Sequence, residues 1–509
     1  MAMTAADPGR PAQGSPLSDG RLALAIITLA VAQQSIGHQN FDNSWLMTLA
    51  ERVLDGKAAY VDFIESNPPA SFLIYLPAVA FARLIGASVE FMAAFCMFAG
   101  GAAAILLTGA ILRRAQLLKP AEAGFFLNVA TFILLFLPGF SFAQREHFAV
   151  ICILPLLAVH CARASGAPCL PTYAILAGLL AGAAICIKPH FGLAVLFPLV
   201  FVLVRRRLLS PVFAAENWAA SGVCFGYVLL LVVKFRAYFD VLRMFLDIYV
   251  AAEVSTWMLL IYPWSAITII FACGLLLASR KEGLRDMAAA PLCAAAGFLL
   301  AYFIQGKGFP NHGLPCVSFA GLAICAQAAP ALTGSRPASY ARLLRVHWAK
   351  LIISGFTLLG VTYLFGAFGQ FSAWEEHPGL DAAIRRQGLA NPRMIAVSTQ
   401  FHIGFPAVRH ANGVWVGRSN GLWIMSYAQD KLDEAATDEA YRGRMKGYID
   451  VDARRLLEDV RKGNPDLILV DSDDMDTARA LLHPDVAATL EGYAPLEKVE
   501  HIWLWGRKP

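Results

Sequence analysis

Nearly all the ionisable residues that could do chemistry in this chain fall in four short polar stretches, each pressed between long apolar runs. The first reads His38-Gln39-Asn40-Phe41-Asp42-Asn43-Ser44-Trp45. A helix is expected from there to about Leu54, with Gly56 well placed as its C-cap. Asp42, just ahead of that helix, is either an N-cap accepting backbone N–H bonds or a general base. A cap that fixed its carboxylate would serve both ends. The stretch runs on to Asp62 and Glu65, three positions apart, before Pro68-Pro69. On a helical turn these two acids would share a face and could bind a metal or a hydroxyl; in a solvated loop they would do neither.

The second stretch, Gln144-Arg145-Glu146-His147, opens an apolar run. An acid near a helix N-terminus is favoured by the helix dipole, but a second acid is also what a two-carboxylate or acid–metal site requires. The third, Lys188-Pro189-His190, offers a lysine that either snorkels to the membrane interface or meets a phosphate at headgroup depth. The fourth, Gln305-Gly306-Lys307-Gly308-Phe309-Pro310-Asn311-His312, is the most specific. Its glycines let backbone N–H groups approach an anion. Lys307 adds a point charge, and His312 a hydrogen bond or a proton. The plainer alternative is an ordinary interhelical loop.

The apolar runs that must position these stretches are membrane spans. Of 509 residues, 57% are hydrophobic and only 16% charged, too few charges for a soluble surface. About eleven full spans are expected, near 22–37, 88–112, 121–138, 148–163, 171–187, 190–204, 216–234, 257–278, 288–305, 313–333 and 350–368. The short run 70–86 follows Pro68-Pro69 and carries Pro77 and Arg83. If it crossed the bilayer, every later loop would change sides. Taken instead as an interfacial or re-entrant element, it leaves Arg113, Arg114, Lys119, Arg163, Arg205, Arg206, Arg207, Arg280, Lys281, Arg285, Arg336, Arg342, Arg345 and Lys350 on the inner side. That is the arrangement positive-inside bias requires. All four polar stretches then share the outer side, although that was not the criterion. Ionisable groups at membrane depth are costly and usually functional.

Three segments result. Residues 1–21 read as a disordered cytoplasmic tail, 22–369 as the transmembrane domain with a first outer loop at 38–87, and 370–509 as a small α/β domain on the periplasmic side. In that last part Met394–Val397, Leu467–Val470 and Val499–Trp505 read as strands, and 450–460 as an amphipathic helix. Ala30-Val31-Ala32 is similar to a signal-peptidase site, but a retained first helix suits the chain better. The formal net charge of +5 gives no case for a nucleic-acid partner. All ten cysteines lie between Cys96 and Cys325 without metal-ligand spacing. They read as small packing residues, and no disulfide is expected. No nucleotide fingerprint and no internal repeat is present.

In the order of these parts the chain resembles the GT-C superfamily of membrane glycosyltransferases, which includes protein O-mannosyltransferases, the aminoarabinose transferases of lipid A and oligosaccharyltransferase catalytic subunits. One span leads into a large outer loop with an early acid, Asp42-Asn43-Ser44-Trp45 through Asn67-Pro68-Pro69. That loop ends in a dipping helix, and two further spans lead to a second outer loop with another acid. The resemblance implies a GT-C fold, Asp42 as catalytic base and Glu146 as second-loop acid. It further implies a polyprenyl-phosphate sugar as donor and an envelope glycan, lipid or protein as acceptor. The Ala-rich composition and the lack of sorting signals associate the chain with a bacterial inner membrane. Many members carry paired acids where this chain has Asp42-Asn43 and Arg145-Glu146-His147. A divalent cation (Mg or Mn) on Glu146 and Asp42 therefore stays open. On chemistry alone, Arg145, Lys188, Lys307 and His312 are the candidates for the donor phosphate. Asp62, Glu65, His147, His190 and Gln305 are candidate substrate-binding or supporting groups. The rivals are a lipid-linked glycan flippase or transporter, a surface-polysaccharide polymerase or ligase with a diphosphate donor, and a non-catalytic scaffold.

Overall fold

The computed structural model describes residues 19–37, 40–249, 254–280, 283–334, 378–434 and 438–509. The expected span at 350–368, the tail up to residue 18, and Lys281, Arg336, Arg342, Arg345 and Lys350 lie outside the described residues.

The helices are α1 (Gly20–Ile36), α2 (Phe41–Leu54), α3 (Ala70–Leu73), α4 (Leu76–Ile85), α5 (Val89–Arg114), α6 (Pro120–Thr131), α7 (Arg145–Ser165), α8 (Pro171–Ile187) and α9 (Leu193–Arg206). They continue with α10 (Ala215–Lys234), α11 (Ala237–Ile248), α12 (Thr256–Ile261), α13 (Pro263–Ala278), α14 (Asp286–Gln305) and α15 (Pro310–Leu332). Among the described residues, six helices are long and apolar enough to cross a membrane, or seven if α1 and α2, bent by 82°, form one broken span. Four further apolar helices are shorter, Ala70–Ile85, Pro120–Phe136, Pro171–Ile187 and Pro263–Leu277. Proline opens α6, α8, α13 and α15, where its missing N–H costs nothing and its φ is already helical.

Close packing in the bundle depends on small residues, as expected without a hydrophobic drive between helices in lipid. A Cβ at Gly178 of α8 would overlap the Glu216 carbonyl of α10. The outward face of α10 is apolar and exposed at Phe225, Val228, Leu229 and Val233, as a lipid-facing helix must be. At one end of the bundle, charges pair across helices. Arg163 holds Glu216 through two bonds of 2.9 and 3.0 Å, Arg205 meets Asp286 at 3.0 Å, and Arg285 meets Glu122 at 3.0 Å. These are the arginines assigned to a single side by the sequence, together with the acids that neutralise them.

The other end carries α2, α3, α4 and α11 and the C-terminal domain. Its five-stranded sheet runs β2-β1-β3-β5-β4, from β1 (Arg393–Val397), β2 (Val414–Trp415), β3 (Leu467–Asp471), β4 (Tyr493–Val499) and β5 (Ile502–Arg507). β2, β1 and β3 are parallel, and β5 runs antiparallel to both β3 and β4. Strands β1 and β3 fall where the sequence places them. The third expected strand, Val499–Trp505, holds from Ile502 onward as β5, but its start is the hairpin turn that follows Val499, the last residue of β4. Here alternation ran through the turn at Glu500, whose φ is +53°. The expected helix at 450–460 is the second half of a longer one, Glu439–Gly463.

This domain shares one core with the first outer loop. Arg52 donates to the carbonyls of Gly417 and Trp415, Arg409 bonds Glu51, Glu90 and Thr48, and Ile64 N–H bonds Arg418 O at 2.6 Å. The rings of Phe245 in α11 and Trp423 stack at 4.8 Å.

Beside this junction, Asp452 is buried and accepts Met425 N–H at 3.0 Å. Burial pushes its carboxyl up to about 7, against the pull of that N–H and of Arg455. A raised carboxyl disfavours the folded state once it must ionise. The penalty is absent below about pH 4, grows up to about pH 7 and is constant above. Asp452→Asn should therefore melt higher than wild type at pH 8 and equally at pH 4. Parallel pH curves for the two proteins in thermal melts would contradict this.

Candidate active site

The first turn of α2 sets the geometry. Its N-cap is Asn40, whose side chain accepts from Asp42 N–H at 2.9 Å and Asn43 N–H at 3.4 Å. This corrects the reading of Asp42 as the cap: it lies two residues past the cap, within the first turn, and its carboxylate is left for other partners. Three contacts tie this turn to the second outer loop. Asn43 Nδ2 donates to Phe142 O at 2.8 Å, while Tyr75 Oη directs its single proton to Ala143 O at 2.7 Å and lies 3.0 Å from Asn43 Oδ1. The result is an ion pair between Arg145 Nη2 and Asp42 Oδ2 at 2.5 Å, with side-chain exposures of 7% and 22%. Asp42 Oδ1 carries no bond among the described residues.

A second cluster forms where four helix ends meet. Lys188, the C-cap of α8, donates to Glu146 Oε1 at 2.5 Å and to Gln305 Oε1 at 3.0 Å, and its Nζ lies 3.2 Å from His312 Nε2. Glu146, in the first turn of α7, is wholly buried. Its Oε2 accepts from Asn311 Nδ2 at 3.1 Å. Since Nε2 of His312 faces an ammonium, it is the acceptor nitrogen, and the ring proton belongs on Nδ1. That Nδ1 is buried without a partner among the described residues, as are Nε and Nη1 of Arg145. Buried donors are rarely left so, and here three of them lie on two adjacent clusters.

The remaining candidates hold the frame. Glu65 is buried and accepts from Trp45 Nε1 at 2.7 Å, Asn67 N at 2.9 Å and Ser66 Oγ at 3.0 Å, pinning the loop to α2. Asp62 accepts Ala58 N–H at 2.8 Å. The two acids do not share a helical turn: residues 55–69 contain no helix, the chain turning at Tyr60 with φ +65° before the two prolines. His147 accepts Ala143 N–H through Nδ1 at 3.0 Å and donates through Nε2 to Leu134 O at 2.6 Å. The widened turn Phe132–Phe136 frees that carbonyl, and His147 is a strut between α7 and the end of α6. Lys307 donates to Tyr249 O and lies 4.1 Å above the Tyr249 ring, linking the fourth stretch to α11. His190 packs edge-on against Phe191 at 5.1 Å.

Asn311, Asn43, Tyr75 and Tyr249 are members that the sequence reading did not assign. Asn311 had a signal in its place beside His312. Tyr75 and Tyr249 had none, because each looks like an ordinary interfacial aromatic.

A divalent ion on Glu146 and Asp42, which the sequence leaves open, does not fit this arrangement. Both oxygens of Glu146 and one of Asp42 are already taken by Lys188, Asn311 and Arg145. Among the described residues no three His, Cys, Asp or Glu side chains converge as a metal would need. A divalent ion about 4 Å from the Lys188 ammonium would meet roughly 8 kcal/mol of repulsion at an effective dielectric near 20.

The sequence matches no family model and no curated protein. In structure it is similar to the crystal structure of ArnT from Cupriavidus metallidurans bound to undecaprenyl phosphate, with TM-score 0.55 and 15% identity over 96% of this chain and 97% of that one. ArnT in its apo state matches with TM-score 0.54 and 14% identity, over 96% of this chain and 98% of its own. The arabinofuranosyltransferase AftD from Mycobacteria matches with TM-score 0.45 and 12% identity, over 96% of this chain and 40% of its own. At such identities the likeness to ArnT shows the fold.

Proposed function

We propose that this protein moves a sugar from a polyprenyl-phosphate donor to a hydroxyl of an envelope glycan, lipid or protein, at the outer face of a bacterial inner membrane. The observation that carries this reading is the Asp42–Arg145 pair, which sets an open carboxylate oxygen beside two buried guanidinium N–H groups without acceptors. A base and an anion holder side by side are what displacement of a lipid phosphate needs. The undecaprenyl phosphate in the ArnT structure supports the donor class.

In the reaction, Asp42 Oδ1 takes the acceptor's proton as its oxygen attacks the anomeric carbon. The bond from that carbon to the phosphate oxygen breaks, its electron pair stays on the phosphate, and the anomeric centre inverts. Arg145 Nε and Nη1 bond the phosphate as its charge grows, in a partly dry site where such bonds count most. His312 Nδ1–H is a further donor at the same end. The cations and loops of this end then face the periplasm, and the C-terminal domain, docked on the first outer loop, is periplasmic with them.

Binding of polyprenyl phosphate to the purified protein tests the reading. Arg145→Gln should weaken it by about tenfold or more, the loss of one or two charge-assisted bonds. If wild type and variant bind the lipid equally, Arg145 does not hold the phosphate and the reading falls.

A further inference from the structure

We infer that Lys188 is the resident cation of this site, seated among Glu146, Gln305 and His312 where a divalent ion would have to sit, and that transfer needs no metal. The inference rests on the transferase reading above and concerns the charge of its site. An ammonium has three N–H groups and no acceptor. Lys188 finds three acceptors of three kinds: a carboxylate oxygen at 2.5 Å, an amide oxygen at 3.0 Å and an imidazole nitrogen at 3.2 Å. Oxygen and imidazole ligands from three helix ends are the materials of a metal cage, and here the ammonium fills it.

The rest of the charge balance agrees. Asp42 is matched by Arg145, and Glu146 by Lys188. The second oxygen of Glu146 is spent on Asn311. These two carboxylates have one cation each, and both oxygens of the nearby Glu65 are taken by Trp45, Ser66 and Asn67, so a further doubly charged ion has no open carboxylate pair to hold it. Asn43 follows Asp42 and spends its side chain on Phe142 O and Tyr75, while Arg145 precedes Glu146 where a second ligand could have stood. Lys188 is tethered at the C-cap of α8, so its charge is present in every turnover regardless of metal supply. It acts by holding the Glu146 carboxylate and keeping positive potential at the end of the bundle where the phosphate leaves. Lys188 is in this sense a positioning residue rather than a phosphate ligand.

Two measurements on the full-length protein test this. Transfer by wild type should change by less than about twofold between excess EDTA and added Mg2+ or Mn2+. Calorimetry should show no Mn2+ binding to wild type, and binding at least about tenfold tighter to Lys188→Met, where the cage has lost its ammonium but kept its volume. The inference is overturned if EDTA abolishes wild-type transfer and a divalent ion restores it, or if wild type binds Mn2+ as tightly as the variant. These failures leave the transferase reading standing. Absence of transfer with or without metal would sink the transferase reading instead.

Discussion

Asp42→Asn should lower the turnover of sugar transfer by about 10^2–10^4-fold while donor affinity stays within about threefold, because it removes a base and little else. Asparagine keeps the volume of the side chain and an oxygen to accept from Arg145, so the tie between α2 and the second outer loop survives. The open Oδ1 position loses its ability to take a proton. A pH profile separates this from a general disturbance. Burial lifts the Asp42 carboxyl above its ordinary value of 3.8, against the pull of Arg145. Wild-type activity should therefore fall as pH drops through a value above 3.8, where the base becomes protonated. The residual activity of Asp42→Asn should lack that limb. If variant and wild type share the acid limb, another group is the base.

Glu146→Leu should cost about 3–5 kcal/mol of stability, because it leaves the buried Lys188 ammonium without its carboxylate. Leucine also removes the acceptor of the Asn311 amide. The double variant Glu146→Leu with Lys188→Met should recover most of the loss, since replacing both members of a buried pair by apolar groups is far milder than orphaning one. Activity should stay low in the double variant, because the positive potential has gone with the lysine. Thermal melts in detergent with a parallel transfer assay read both quantities. A Glu146→Leu protein that melts like wild type would mean that the pair carries no folding load.

Much of this site was legible because membranes make charges expensive. A lysine between two spans, or Arg145 and Glu146 at the mouth of one, stands out against apolar surroundings. Loop arginines then sort the stretches to one side. Asp42, Arg145, Glu146, Lys188 and His312 stand out in this way, with Gln305 beside them in the fourth stretch, and the structure brings Asp42 to Arg145 and Glu146, Gln305 and His312 to Lys188.

Partner choice was not legible. Nothing in the spacing says that Lys188 meets Glu146 rather than a phosphate, or that both ring nitrogens of His147 go to backbone groups, since these depend on where helix ends meet in space. The break at Tyr262-Pro263 between α12 and α13 was hidden because hydropathy runs through it. The helix α11 was missed because its apolar face, with Tyr238, Val241, Met244 and Phe245, is covered by the C-terminal domain rather than by lipid. It is too short and too mixed for a span. In the C-terminal domain, β1 and β3 announce themselves as continuous apolar runs buried on both faces. β4, half exposed and interrupted by Pro495, does not.

The central claim is tested most directly by mass spectrometry of envelope glycolipids and glycans from a strain lacking this protein, complemented either with wild type or with Asp42→Asn at equal level. The account predicts that one sugar disappears in the deletion and returns with wild type. With Asp42→Asn it should stay absent while its polyprenyl-phosphate donor accumulates. Full restoration of the profile by Asp42→Asn would contradict the account, and with it the assignment of transfer chemistry to this site.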